Sequence, residues 1–97
     1  MKVVWSPLAI EKLEEAAKFI ALDKPSAADK WVNEVFNRTD MLGAQPELGR
    51  EVPELLGSRY REVIFGNYRI IYKIENEIKI LTLRNSRQLL DLEKIDS

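Results

Sequence analysis

The chain contains no cysteine and no histidine. The first absence removes disulfides, a thiol nucleophile and any thiolate metal site. The second removes the commonest general base and the commonest metal ligand. Zinc deaminase, zinc protease and serine-triad chemistry in their usual forms are excluded. Catalysis would have to use Asp, Glu, Lys, Arg, Tyr or the backbone, and neither a cofactor nor a metal is expected. Long apolar runs are missing too. Nothing approaches the roughly 18 residues that span a bilayer, and the opening Met-Lys-Val-Val-Trp-Ser-Pro lacks the apolar region of a signal peptide. A cytoplasmic protein with no membrane contact is expected. There are no internal repeats or low-complexity tracts, and 97 residues make one domain, 1–97.

The net charge of −1 conceals an asymmetry. Residues 49–87 carry eight basic and five acidic groups, whereas both flanking segments are acidic by two. A dedicated nucleic-acid binder shows a larger basic excess.

Lys-Val-Val-Trp at 2–5 reads as a short strand. Ser6-Pro7 is a helix start: the serine supplies the cap oxygen, and proline fits the first turn because its missing N–H is not needed there. Ala9, Leu13, Ala16, Ala17 and Ile20 follow at helical spacing to about Leu22. Pro25 opens a second helix whose apolar face is Ala28, Trp31, Val32, Val35, Phe36, Thr39 and Leu42, with Gly43 as its stop. Residues 43–58 are rich in turn formers and form a long connecting loop. Three strand-like runs then fill 60–85, separated by Gly66-Asn67 and Asn76-Glu77. In the middle run Ile70, Tyr72 and Ile74 share one face, and Arg69, Ile71 and Lys73 the other. In the last, Ile78, Ile80 and Thr82 alternate with Lys79, Leu81 and Leu83. Gln88–Ile95 reads as a terminal helix or tail. The pattern predicts an α+β domain in the order β-α-α-β-β-β: an antiparallel twisted sheet of about four strands with the helix hairpin packed on one face.

Arginine recurs through the strand region at Arg59, Arg61, Arg69, Arg84 and Arg87. Arg69 and Arg87 fit phosphate binding, and equally fit internal bridges to Glu54 or Glu62. Glu54 fits a general base if desolvated, or else an arginine partner. Arg50 fits a brace for its loop. Tyr60, Tyr68 and Tyr72 suit base stacking or plain sheet packing. Trp5 and Trp31 suit the core or a groove, with Trp31 a candidate anchor for a partner. Leu89, Leu90, Leu92 and Ile95 suit either folding back or covering by a partner.

Several segments carry a resemblance: Trp5-Ser6-Pro7 with Ala9 and Leu13, Pro25-x-Ala27-Ala28, Leu42 to Pro46, Gly49-Arg50, and Val52-Pro53-Glu54. Arg61-Glu62, Tyr68-Arg69-Ile70-x-Tyr72 and Ile78-x-Ile80-Leu81 continue it. In this order and spacing the chain resembles the RelE/ParE superfamily of bacterial toxins from type II toxin–antitoxin operons, over nearly its whole length. Gly49-Arg50, Arg61-Glu62 and Tyr68-Arg69-Ile70 look more like the ParE branch.

The resemblance implies a growth-inhibiting toxin of the plasmid-stabilisation type. A small cognate antitoxin would neutralise it in a heterodimer or higher hetero-oligomer. ParE members are known as poisons of DNA gyrase, and RelE members cut mRNA at the ribosome; the fold alone does not choose. Some RelE-like nucleases pair a loop Glu with an Arg and a C-terminal His or Tyr. Here Glu54 and Arg69 match, Ser86-Arg87 stands where His-Tyr would be, the 43–58 loop has no lysine, and no tyrosine lies beyond Tyr72. A gyrase poison without chemistry of its own is therefore expected, with Arg50, Arg61, Arg69, Arg84 and Arg87 facing the target. The alternatives are a nuclease acting on mRNA or DNA, using Glu54, Arg69, Arg84 and Arg87, and an inactive antitoxin-binding module. The antitoxin is expected to meet Trp31, Val35, Leu89 and Leu92, in a groove of the helix pair and along an exposed sheet edge.

Overall fold

The computed structural model describes residues 1–86. Its elements are β1 (Val3–Trp5), α1 (Pro7–Asp23), α2 (Pro25–Asp40), β2 (Arg50–Glu51), β3 (Tyr60–Phe65), β4 (Tyr68–Ile74) and β5 (Ile78–Asn85). Turns of 3₁₀ helix at Met41–Gly43, Pro46–Leu48 and Pro53–Leu55 shape the passage from α2 to β3.

Ser6 does double duty where β1 becomes α1. Its hydroxyl accepts the Ala9 amide at 3.0 Å, capping the helix, and donates to the Leu81 carbonyl at 3.0 Å. Its own amide reaches the Ile80 carbonyl at 2.9 Å. The cap is thereby stitched to β5. Lys24 alone joins the two helices in an extended conformation, as expected of the residue before Pro25.

The sheet has five strands in the order β1-β5-β4-β3-β2. It is mixed, not antiparallel: β1 runs parallel to β5, with Val3 opposite Ile78 and Trp5 opposite Ile80. The helix hairpin and meander supply the long crossover that parallel pairing requires. The added strand β2 is a two-residue segment of the loop, with Arg50 opposite Glu62 and Glu51 opposite Arg61.

One face of the sheet packs on the helices. Ala9, Leu13, Ala16, Val35 and Leu42 meet Val63, Ile70, Tyr72, Ile78, Ile80 and Leu83 there. On the opposite face, which we call outer, Val52, Tyr60, Ile71 and Leu81 form a smaller cluster flanked by Leu55. The 44–58 loop thus covers part of the outer face. A bulge corrects the expected alternation of the last strand. Tyr72 pairs with Ile80 but Ile71 pairs with Thr82, so Leu81 is the extra residue. Beyond it the phase inverts: Leu83 joins Ile78 and Ile80 on the helix side, and Thr82 falls opposite Ile71.

Both outer strands stop short. Pairing with β1 ends at Ile80 of β5, and pairing with β2 ends at Glu62 of β3. The rest of each edge has a strand neighbour on one side only, among the described residues. No helix among them is long and apolar enough to cross a membrane.

Candidate interaction surfaces

Four ionised side chains run in a row across the outer face. Arg69 on β4 donates from both terminal nitrogens to Glu54, at 2.6 and 2.7 Å, and from Nε to Glu62 Oε1 at 2.7 Å. Glu62 turns its other oxygen to Arg50, whose Nε and terminal nitrogen lie 2.8 and 2.7 Å away. The Glu62 side chain is fully buried. Arg69 is 5% exposed. Hydrogen bonding to Glu54 raises the Arg69 pKa further above its already high value, outweighing burial, with Glu62 acting in the same direction. Such a row ties the loop (Arg50, Glu54) to the strands (Glu62, Arg69).

A second tie lies on the helix side. The Tyr72 hydroxyl accepts the Gly49 amide at 2.9 Å and donates to the Pro46 carbonyl at 2.7 Å. Arg61 donates to the Gly49 carbonyl at 2.8 Å. Together the two faces clamp the loop from both sides of the sheet.

Arg69 therefore holds carboxylates of its own chain and does not face outward, contrary to its expected place on a target surface. Arg50 keeps an exposed side chain while bound to Glu62. Arg84 lies opposite Arg69 in the β4–β5 register, and its buried Nε has no acceptor among the described residues. Arg87, Leu89 and Leu92 lie outside the described residues.

The helix side carries a groove of about 740 Å³ between the α1–α2 joint and the β3–β4 hairpin. Phe19, Leu22, Trp31, Phe65 and Tyr68 line it. Phe19 is 71% and Leu22 85% exposed. Gly66 turns the hairpin with a left-handed φ of 58°. Trp31 packs its ring against Tyr68 at a tilt of 56°, with ring centroids 5.1 Å apart, and borders the groove. Val35 does not. It is fully buried on the core side of α2 and has no surface to offer a partner.

The family described as the ParE toxin of the type II toxin-antitoxin system parDE matches residues 3–90. The chain belongs to the ParE toxin family. Protein Y4kP of Sinorhizobium fredii, a candidate toxin by name, is 30% identical over 89 residues, covering 90% of each chain. A solved structure described as the chromosomal ParDE TA system from P. aeruginosa superimposes with a TM-score of 0.73 at 22% identity. It covers 88% of this chain and 95% of that one, and so shares the fold.

Within this ParE-family chain, sequence reasoning missed two things. The Tyr72–Gly49 bond joins residues distant in sequence, and nothing in strand parity announces it. Arg38, not considered before, stacks its guanidinium over Phe65 at 5.1 Å. Its position in the last turn of α2 was the available signal.

Proposed function

We propose that this toxin is neutralised by a cognate antitoxin in the cytoplasm and acts on DNA gyrase, trapping it on cleaved DNA without chemistry of its own. The observation that carries the reading is the internal pairing of Arg69 with Glu54 and Glu62. The cation and base a phosphodiester cutter would draw on hold each other instead. Membership of the ParE family supports the same target.

The apolar groove beside Trp31 suits an amphipathic helix of the antitoxin. The end of β5 beyond Leu81, which has no second strand neighbour among the described residues, suits an added strand. An antitoxin segment that orders on binding would cover Phe19 and Leu22, removing two exposed apolar side chains from water.

The test is incubation of the purified chain with gyrase and relaxed or supercoiled plasmid. Supercoiling is expected to fall and protein-linked DNA breaks to accumulate. Unchanged supercoiling with no trapped complex at high toxin excess would refute the target assignment. Normal growth on expression without an antitoxin would point to an inactive binding module.

A further inference from the structure

The end of β2 leaves a cleft that neither the groove beside Trp31 nor the internal ion row accounts for. β2 covers β3 only at Arg61 and Glu62, and the chain of β3 continues through Val63, Ile64 and Phe65. From Val63 onward this edge has β4 on one side and no strand on the other among the described residues. A depression of about 410 Å³ opens there. Met41 and Leu48, each about half exposed, and Ile64, 40% exposed, bring three large apolar side chains into it. Arg38 and Arg50 complete the lining from opposite sides. The one carboxylate among the described residues that line it, Glu62, is buried and already shared between Arg50 and Arg69. Phe65 holds the Arg38 guanidinium in place by its ring face.

From this arrangement we infer that the β3 edge is a second docking surface, and that its occupant is an extended, acidic segment of the target protein. The edge offers backbone hydrogen bonds to an added strand. Apolar side chains of that strand would cover Ile64 on the outer face and Met41 and Leu48 beside it. Carboxylates would meet Arg38 and Arg50, where planar guanidinium groups favour paired oxygens. Exposed methionine and arginine are among the residues enriched at protein interfaces, and the leucine and isoleucine beside them add apolar area. They do not match a phosphate-tracking surface, which needs cations in a continuous stripe. The inference rests on the toxin reading for the partner being the poisoned protein, but its chemistry stands on the cleft alone.

The test is selection of a random twelve-residue peptide display library on the full chain. Recovered peptides are expected to combine apolar residues with Asp or Glu. Their consensus peptide should bind Arg38→Glu and Ile64→Lys about ten-fold or more weakly than the native chain. Both positions are exposed, and circular dichroism and thermal melting confirm that the variants fold. Recovery of peptides without acidic preference, or of none, overturns the proposal. So does a consensus whose binding is unmoved by both variants, or is lost instead in Phe19→Ser at the other groove. Binding of a single-stranded oligonucleotide weakened by Arg38→Glu overturns it in favour of nucleic acid. A dimer in sedimentation that Ile64→Lys dissolves assigns the edge to a second copy and also overturns it. Gyrase inhibition by the native chain is scored separately, so failure of the target assignment is not confused with failure here.

Discussion

Tyr72 shows how much one side chain can hold. Its ring is in the core, and its hydroxyl ties Gly49 and Pro46 to the sheet. Tyr72→Phe strands a buried amide and carbonyl, and should cost about 1–3 kcal/mol in urea unfolding. Burial pushes the phenol pKa above its ordinary value near 10, with the Gly49 amide opposing. The native state thus keeps a proton that the unfolded chain gives up first, so its stability holds below pH 10 and falls as pH rises toward the native pKa. Urea midpoints taken between about pH 8 and 11 should show an alkaline loss that is smaller in Tyr72→Phe. Gly49 is constrained by the same contact. A Cβ there would sit 2.6 Å from the Glu62 carbonyl oxygen and 2.6 Å from the Tyr72 ring and hydroxyl. Gly49→Ala should therefore lower stability by about 1–3 kcal/mol, visible as a drop in melting temperature. Arg69→Met leaves the buried Glu62 with Arg50 alone, and the expected loss is about 3–5 kcal/mol. Arg69→Lys should recover less than half, since an ammonium cannot serve Glu54 at two points and Glu62 at a third. A loss under about 1 kcal/mol for Arg69→Met would show that the row of charges contributes little. At this scale the sequence had offered both readings of Arg69, phosphate clamp and internal bridge. Spacing could not decide, because the answer depends on a loop folding over the outer face.

Elements with their own punctuation were legible. Ser6-Pro7 and Pro25 mark where the helices begin, and Gly66-Asn67 marks the first hairpin. Three features were not. β2 is two exposed residues with no alternation to read. The bulge at Leu81 is invisible because either phase of Ile80-Leu81-Thr82-Leu83 places apolar side chains on both faces. The parallel pairing of β1 depends on where the crossover lands. Ser6 tests that placement. Its hydroxyl both caps α1 and binds β5, so Ser6→Ala should cost about 1–2 kcal/mol, at the upper end for a cap. Thermal unfolding measures it. A cost of only a few tenths would mean the tie to Leu81 carries no weight.

For the molecule as a whole, the basic excess lies in residues 49–87. Much of that charge is paired within the chain: Arg69 and Arg50 serve Glu54 and Glu62, and Arg59, Lys73 and Lys79 converge on Glu75. Those cations, Lys79 first, lower the Glu75 pKa, so this surface cluster is favourable at neutral pH and lost as pH falls through the carboxylate's native value. What stays outward is mixed with apolar groups, at the groove by Phe19 and at the β3 edge by Ile64. A surface of that kind suits the protein partners proposed above. The claim that this toxin works by gripping another protein is tested most directly by giving it plasmid DNA and RNA with and without gyrase. The account predicts DNA breaks covalently linked to gyrase when the enzyme is present, and intact DNA and RNA when it is absent. Cleavage of either nucleic acid by the purified chain alone would contradict it.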